Sequence, residues 1–169
     1  MKKWMRSMAL LLVLVLTLSL AGCGMGPDGP QGGYEGPQTG QNGDQGEEIP
    51  QKGNYYYDLE NVVLYLDFYG ELPPNYITKS EARKLGWEGD SVEPFKEGAA
   101  IGGDTFGNRE GLLPKAKGRT YTECDLSTLG KEKRGAERLV FSNDGLYFHT
   151  RDHYESFTQV YVEEGKVVK

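Results

Sequence analysis

Cysteine and histidine are both scarce in this sequence. Its 169 residues include two cysteines and two histidines. One cysteine, Cys23, directly follows an apolar run near the N-terminus and is a candidate for covalent modification, which leaves Cys124 without an intramolecular partner. No disulfide framework is therefore expected, and each histidine has to be judged by the residues around it.

Positive charge is also in short supply. The chain carries 19 Lys and Arg residues against 25 Asp and Glu residues, a formal net charge of −6. The first 22 residues contain three of the basic residues and no acidic one, so their removal leaves 16 basic and 25 acidic residues and a net charge of −9. An acidic balance argues against long-range attraction to nucleic acid. Any function directed at RNA must therefore rest on a local cluster of cations.

Only one long apolar run is present, and it lies at the N-terminus. Residues 8–22 read MALLLVLVLTLSLAG and follow Lys2, Lys3 and Arg6, as in an export signal. The run is too short and too close to small residues for a comfortable spanning helix. Residues 1–22 are therefore interpreted as a signal peptide.

The four residues LAGC, Leu20 to Cys23, resemble the lipobox of bacterial lipoproteins. The resemblance implies that Cys23 receives a diacylglycerol and becomes the new N-terminus, which would anchor the protein to a membrane without spanning it. The implied location is extracellular, on the outer face of the bacterial cytoplasmic membrane. The alternative is an ordinary cleavage site that happens to precede a cysteine.

Residues 23–53 are interpreted as a lipidated cysteine followed by a disordered tether. The thirty residues from Gly24 to Gly53 include ten Gly, four Pro and five Gln and almost no large apolar side chains. Such a composition cannot bury enough surface to order itself. A flexible chain of this length reaches on the order of 30 Å r.m.s. from the membrane.

Residues 54–169 are interpreted as one folded domain with a single modest core. In YYYDLENVVLYLDFYG, apolar residues recur at helical spacing and Gly70 supplies a stop, so a first helix is predicted. TKSE has the form of a capping box, with Thr78 as the cap and Glu81 reaching back, which predicts a second helix to about Leu85. SVEPFKEG is a candidate for a short third helical turn.

Beyond Ala99 the sequence changes to short β-rich runs separated by Gly, Asn and Asp. The five runs are AAIGGDTF, GRTYTECDL, ERLVFS, GLYFHT and FTQVYVEE, and SNDG between the third and fourth predicts a hairpin. Helices followed by consecutive strands predict an α+β domain, with N-terminal helices packed on a five-stranded antiparallel sheet. Gly102, Gly103 and Asp104 are interpreted as architectural, because adjacent glycines permit a bend in a strand.

Four segments together resemble the bacterial guanyl-preferring ribonucleases of the barnase and binase type. They are LPPNYITKSEARKLGW (72–87), IGGDTFGNREGLLP (101–114), GRTYTECD (118–125) and ERLVFSNDGLYFHTRDHYESF (137–157). The resemblance implies the microbial ribonuclease fold, in which helices pack on a five-stranded sheet. It also implies an endoribonuclease that cleaves single-stranded RNA 3′ of guanosine through a 2′,3′-cyclic phosphate, with no metal and no other cofactor.

The resemblance assigns the two proton-transfer roles. Glu123 in TYTECD matches the general base that removes the proton of the ribose 2′-hydroxyl, although taken alone it is also compatible with a solvated strand carboxylate. His153 in RDHYESF matches the general acid that protonates the departing 5′-oxygen. This role suits a histidine because the pKa of a free imidazole side chain is about 6.5. His149 has no counterpart in the pattern and is interpreted as a strand residue.

Lys79, Arg134 and Arg138 match cationic positions that hold the phosphate and stabilise the negative charge on it. The planar guanidinium of arginine can bind two phosphate oxygens at once. Two alternatives stay open. Lys79 is also compatible with a plain helix-surface residue, and Lys133 could take the place of Arg134 because STLGKEKRGAER carries about one extra residue relative to the pattern. Asp125 is expected to pair with an arginine of this cationic cradle.

The loop FGNRE matches the guanine-binding loop of the family; it consists of Phe106, Gly107, Asn108, Arg109 and Glu110. The resemblance implies that backbone N–H groups face O6 of the base and that the Glu110 carboxylate accepts hydrogen bonds from N1–H and the exocyclic amine. Gly107 stands where a serine is common, which removes no backbone donor. Tyr154 and Arg109 are expected to flank the base and the phosphate by stacking.

The expected partners are RNA and a membrane, the latter through the lipid on Cys23, and the protein is expected to be a monomer. The resemblance also makes a small acidic protein inhibitor of the barstar type a candidate partner. The competing hypothesis is a ribonuclease-like toxin or binding module whose natural partner is a protein. Glu123, Arg138 and His153 favour the enzyme, since a protein that only binds has no need of a spaced acid and base.

Overall fold

The computed structural model describes residues 49–169, so the predicted signal peptide, Cys23 and most of the predicted tether lie outside the described residues. The described elements, in chain order, are α1 (Leu59–Tyr69), β1 (Tyr76–Ile77), α2 (Lys79–Lys84), β2 (Ala100–Phe106), β3 (Tyr121–Asp125), β4 (Arg138–Ser142), β5 (Tyr147–Thr150), β6 (Thr158–Glu163) and β7 (Lys166–Val168). The strands form one sheet in the order β1 to β7. Both helices precede strands β2 to β7, which pair antiparallel, and this segregation confirms the predicted α+β class.

Helix α1 forms where the sequence predicts it. The Asp58 side chain accepts a hydrogen bond from the backbone N–H of Asn61 at 2.9 Å, and Gly70 ends the helix in the left-handed conformation. The buried face of α1 belongs to the main hydrophobic core, whose residues are Val62, Val63, Leu66, Cys124, Leu126, Leu139, Tyr147 and Val160. Because side chains alternate along a strand, Glu123 and Asp125 lie on the face of β3 opposite to this core.

Helix α2 begins with the predicted capping box. The backbone N–H of Glu81 donates to the Thr78 hydroxyl at 3.2 Å, and the backbone N–H of Thr78 donates to the Glu81 carboxylate at 2.8 Å. The segment considered for a short third helical turn forms a hydrogen-bonded turn, in which the N–H groups of Phe95 and Lys96 donate to the carbonyl of Val92, and it is not extended to a helix.

The sheet has seven strands, so the prediction of five antiparallel strands is wrong in number and in the direction of one pair. The five predicted runs form β2 to β6, which pair antiparallel, and SNDG joins β4 to β5. Strand β1 adds a parallel pairing of two residues with β2, which is too short to leave a periodic signal in the sequence. Strand β7 forms because Glu164 and Gly165 both have positive φ and turn the chain back onto β6.

Two glycines bend β2 where it passes β3. The pairing register shifts between Gly102 and Asp104, and Gly103 has a φ of +94°. A Cβ atom on Gly102 would lie 2.6 Å from side-chain atoms of Cys124 and Tyr76. The absence of a side chain at Gly102 therefore lets β2 approach β3 closely, as the architectural interpretation requires.

The packed part of the chain starts before residue 54, where the sequence places the domain boundary. The backbone N–H of Gln51 donates to the Tyr56 hydroxyl at 2.8 Å, and Lys52 forms an ion pair with Glu71 at 3.0 Å. These contacts hold Gln51 and Lys52 against the domain, although the composition of the sequence groups both residues with the tether. Over residues 49–169, no helix has the length and apolar character needed to cross a bilayer.

Candidate active site

Glu123 lies in the middle of β3 and is held from two sides. It is 8% exposed. The Lys79 ammonium donates to Oε1, and the Tyr154 hydroxyl donates to Oε2 at 2.7 Å. Lys79 itself is the first residue of α2, where its backbone N–H donates to Asp104 Oδ2 at 2.8 Å. The N-terminus of α2 is thus fixed to β2, and it delivers a cation to the carboxylate on β3.

The contact between Tyr154 and Glu123 has a defined polarity. Burial of the Tyr154 ring raises the pKa of its hydroxyl, and the hydrogen bond to Glu123 raises that pKa further. The phenol therefore stays protonated and donates a hydrogen bond to the carboxylate. Lys79 and Tyr154 together fix the direction of both carboxylate oxygens of Glu123.

Asp125, two residues further along β3, binds two arginines. Arg134 donates through Nε to Oδ2 at 2.6 Å and through Nη2 to Oδ1 at 2.7 Å. Arg138 Nε lies 2.8 Å from Oδ1 as a charge contact without the alignment of a hydrogen bond. Burial disfavours the charge of Arg134, but the bonds to Asp125 outweigh it and raise the pKa of the guanidinium. The guanidinium also lies 5.5 Å from the centre of the Trp87 ring.

The two arginines are not equivalent. Arg138 is 1% exposed, and its remaining donors bind the backbone of the loop before β4. Its Nη1 donates to the carbonyl of Glu137 at 2.7 Å and its Nη2 to that of Gly135 at 3.1 Å. Arg134 is partly exposed and holds its guanidinium at the surface above Asp125. Arg138 therefore organises the loop from within, while Arg134 is the arginine that can reach an outside ligand.

His153 lies in a strained turn after β5. Both His153 (φ 60°) and Tyr154 (φ 77°) occupy the left-handed region, which is costly for residues with a Cβ. The Asp152 carboxylate compensates by accepting hydrogen bonds from the Thr150 hydroxyl at 2.8 Å and from the N–H of Ser156 at 2.9 Å. The His153 N–H donates to the Ala136 carbonyl at 3.2 Å. The turn leaves the His153 side chain exposed to solvent.

A groove of about 850 Å³ joins this turn to the predicted base-binding loop. It is lined by Thr105, Phe106, Gly107, Asn108, Arg109, Glu110, Leu112, His153, Tyr154 and Glu155. The rings of Phe106 and Tyr154 lie 5.4 Å apart. The Asn108 side chain closes the loop on itself, because it donates to the Leu113 carbonyl at 2.9 Å and accepts from the Leu113 N–H at 3.0 Å. The loop is therefore preorganised, and the Asn108 amide is used within it.

The structure brings the predicted residues of the domain into one region. The five residues of the FGNRE loop share the groove with His153 and Tyr154. The Tyr154 hydroxyl connects the groove to Glu123, and Lys79 contacts the same carboxylate. Arg134, rather than Lys133, forms the predicted pair with Asp125. Cys23 lies outside the described residues.

Sequence reasoning missed three interactions in this region. Tyr154 was expected, with Arg109, to flank the base and the phosphate by stacking, but its hydroxyl also binds the carboxylate of Glu123. The capping role of Asp152 has a local signal, a serine four residues later, that could have predicted it. The contact between His149 and Glu137 has none, because it joins β5 to the loop before β4. Within residues 49–169, no group of three or more His, Cys, Asp or Glu side chains is placed to hold a metal ion.

Comparison with known proteins identifies the family. Residues 61–161 match the model of the ribonuclease family, so the chain belongs to it. The chain is 48% identical over 104 residues to a ribonuclease of Bacillus intermedius, and this alignment covers 60% of the chain and 63% of the relative. It thus spans about three fifths of the length of that relative.

Two further relatives narrow the type within the family. The chain is 47% identical over 104 residues to a ribonuclease of Heyndrickxia coagulans, covering 60% of the chain and 94% of the relative. It is also 47% identical over 55 residues to guanyl-specific ribonuclease St of Saccharopolyspora erythraea, covering 32% of the chain and 54% of the relative. These matches confirm the resemblance to the bacterial barnase and binase type that the motifs indicate.

Proposed function

We propose that the protein is an endoribonuclease that cleaves single-stranded RNA 3′ of guanosine by metal-free transphosphorylation. One observation carries the proposal: a carboxylate held by a lysine and a tyrosine is connected through that tyrosine to a groove shared by an exposed histidine and the FGNRE loop. Such a reaction needs a general acid, a general base and a loop that binds the guanine ring, all in one region.

The proposed reaction moves two protons and exchanges one phosphorus–oxygen bond. Glu123 takes the proton of the ribose 2′-hydroxyl, and the 2′-oxygen forms a bond to the adjacent phosphorus. The bond between phosphorus and the 5′-oxygen breaks, and His153 gives its proton to that oxygen. The products are a 2′,3′-cyclic phosphate and a free 5′-hydroxyl, so no water is consumed in this step.

The cationic cradle stabilises the negative charge that builds on the phosphate oxygens. Lys79 is placed beside Glu123, where it can contact the phosphate next to the attacked hydroxyl. Arg134 presents its guanidinium from the loop before β4, and Asp125 fixes its orientation. Arg138 is buried beside Asp125 and donates to a carbonyl of the loop before β4. Its positive charge therefore acts on the site without direct contact with the phosphate. Fixed charges of this kind favour the transition state because they need no reorganisation during the reaction.

Guanine selection is assigned to the FGNRE loop. The Glu110 carboxylate accepts hydrogen bonds from N1–H and the exocyclic amine of guanine, and loop N–H groups donate to O6. The internal hydrogen bonds of Asn108 support this role because they hold the loop in one conformation before the base arrives. Phe106 and Tyr154, whose rings lie in the same groove, provide surfaces against which the base can stack.

The proposal includes export and anchoring on the outer face of the bacterial cytoplasmic membrane. The basic start, the apolar run and LAGC support it, together with the Gly-rich segment that would separate the domain from the membrane. On this proposal the enzyme meets RNA outside the cell.

The experiment that tests the activity uses a single-stranded RNA with one internal guanosine, incubated with the protein in excess EDTA. We expect one cut directly 3′ of the guanosine, with a 2′,3′-cyclic phosphate on the 5′ fragment. Glu123→Gln is the matched control, since it keeps the size of the side chain but removes the base. Products with a 5′-phosphate, or activity that disappears on chelation, would contradict the mechanism. RNA binding without cleavage would favour the binding module instead.

A further inference from the structure

His149 lies outside the proposed acid–base pair, yet it contacts the loop that carries the cationic cradle. Its side chain is 3% exposed in β5, and its Nε2 lies 2.8 Å from Oε1 of Glu137. An imidazole N–H that donates to a carboxylate at this distance makes a charge-assisted hydrogen bond. Such a bond has narrow geometric limits, so it fixes the position of Glu137 relative to β5.

The backbone next to Glu137 contacts both parts of the proposed catalytic machinery. The Glu137 carbonyl accepts a hydrogen bond from Arg138 Nη1 at 2.7 Å and from the N–H of Leu126 at 3.1 Å. The preceding carbonyl, that of Ala136, accepts from the N–H of His153 at 3.2 Å. A displacement of Glu137 would therefore move the support of Arg138 and of the turn that carries His153.

The His149 side chain cannot act on the substrate directly. In the strand register His149 lies opposite Leu139, and Leu139 belongs to the core beneath α1. Asp125 and Arg138 lie opposite each other on the other face of the sheet, where the cradle is. Any influence of His149 on the reaction must therefore pass through Glu137 and the loop.

We propose that His149 and Glu137 are a positioning pair for the proposed ribonuclease reaction. The pair clamps residues 134–137 to β5 and thereby sets the position of the Arg134 guanidinium relative to the His153 turn. This inference rests on the proposed function, because it assigns the pair a role in that reaction. The inference assigns a role to His149, which has no counterpart in the family pattern.

His149 is one of two side chains that hold the Glu137 carboxylate. Burial raises the pKa of Glu137, but hydrogen bonds from Ser127 and His149 outweigh it and lower that pKa below its ordinary value. Arg151 lies further away, with its Nε 3.9 Å from Oε1, and its side chain is 74% exposed. The residues paired with His149 in the neighbouring strands, Leu139 and Thr158, carry no charge.

The first experiment compares two replacements of His149. His149→Leu removes the donor, whereas His149→Gln keeps an N–H group that can reach Glu137. We expect His149→Leu to lower kcat about 10-fold with KM unchanged within about 2-fold, because a displaced cation weakens transition-state binding more than ground-state binding. We expect His149→Gln to restore most of kcat.

Two control variants separate positioning from general loss of stability. Tyr147→Phe, in the same strand, removes the hydrogen bond from its hydroxyl to Asp67 (3.3 Å) and touches neither the loop nor the site. Arg151→Ala removes the distant partner of Glu137. Both should leave kcat unchanged. If Tyr147→Phe lowered kcat as much as His149→Leu at equal loss of stability, or if His149→Leu left kcat unchanged, the positioning role would be wrong.

A second measurement tests the positioning role of His149 independently of activity. Hydrogen exchange of the His153 backbone amide, followed by NMR in the folded full-length protein, should be about 10-fold faster in His149→Leu than in the wild type, because the Ala136 carbonyl is less firmly held. Unchanged exchange would overturn the proposal even if the wild type cleaved no RNA, an outcome that would separately overturn the proposed function. Should His149→Leu not fold, Glu137→Gln, at a side chain that is 30% exposed, provides the same test with a weakened hydrogen bond.

Discussion

Two carboxylates on β3, Glu123 and Asp125, are separated by one residue and have different surroundings. Glu123 accepts hydrogen bonds from a lysine and a tyrosine. Asp125 is almost completely buried, and its two oxygens are occupied by arginines. The period of two along a strand places both on one face, and their different neighbours are the reason that the proposed reaction uses Glu123 as the base and Asp125 as a support.

The roles of Glu123 and His153 can be separated by their dependence on pH. A general base must start ionised and a general acid must start protonated, so kcat/KM of the wild type should be bell-shaped in pH. His153→Gln should lose the falling limb and cost at least about 10²-fold in kcat/KM, and Glu123→Gln should lose the rising limb. The measurement is the cleavage rate of a guanosine-containing dinucleotide across the pH range.

His149→Gln is the control for this experiment, because it changes the other histidine and should keep both limbs. If His153→Gln kept the bell while His149→Gln lost a limb, the catalytic histidine would be wrongly assigned. The match of RDHYESF to the family pattern would then not extend to function.

Asp152 should make the turn that carries His153 sensitive to acid. Hydrogen bonds from the side chain and backbone of Ser156 and from Thr150 lower the pKa of Asp152 to about 2. A carboxyl whose pKa is lowered on folding stabilises the fold above its unfolded pKa of about 3.8, and this stabilisation is lost as the pH falls towards 2. The difference in unfolding free energy between wild type and Asp152→Asn should therefore be constant near neutrality and shrink between about pH 4 and pH 2.

Chemical denaturation at a series of pH values measures this difference. Ser156→Ala, which removes the strongest donor to Asp152, should reduce the part that depends on pH. A difference that stayed constant down to pH 2 would show that these hydrogen bonds do not hold the ionised carboxylate in solution.

At the scale of elements, the two helices could be predicted from the sequence because local interactions fix their ends. Asp58, Gly70 and the box of Thr78 and Glu81 act within one helical turn, so both helices could be placed from the sequence. Strand β1 could not be predicted, because its two residues are held only by pairing with β2, more than twenty positions away. The contact between His149 and Glu137 escaped prediction for the same reason, since it depends on how β4 and β5 are paired.

The close passage of β2 and β3 should not tolerate a side chain at Gly102. In Gly102→Ala the new methyl would lie 2.6 Å from Cys124 Cβ and from the Tyr76 ring, and neither is the free end of a flexible side chain. Overpacking of this kind costs about 1 to 3 kcal/mol, and the resulting shift of β3 should also lower activity because β3 carries Glu123. Urea unfolding measures the first effect and dinucleotide cleavage the second.

Gly107→Ala is the matched control for crowding. Its new Cβ would meet nothing closer than 3.5 Å, on the Arg109 side chain, and the φ of Gly107 is not positive. The unfolding midpoint should stay nearly unchanged. Equal midpoints for the two variants would mean that β2 can move away from β3 without cost.

At the scale of the whole molecule, the proposed anchor is tested by Cys23→Ser. Without the thiol no lipid can be attached, so the variant should leave the membrane fraction or accumulate as an unprocessed precursor. Detergent phase partitioning of cells that express the full chain measures the outcome, with Cys124→Ser as the control that keeps the lipid site. Unchanged partitioning of Cys23→Ser would show that LAGC is not a lipobox.

The position of Trp87 provides an optical reporter of the cradle. The chain has two tryptophans, and the other, Trp4, belongs to the segment that export would remove. In the proposed mature protein, tryptophan emission would therefore come from one buried ring that lies 5.5 Å from the Arg134 guanidinium and 6.0 Å from that of Arg83. Since emission depends on the charges next to the indole, an anion that enters the cradle and draws Arg134 towards it will change the signal. Occupancy of the site can thus be followed by fluorescence with no label and no cleavable substrate.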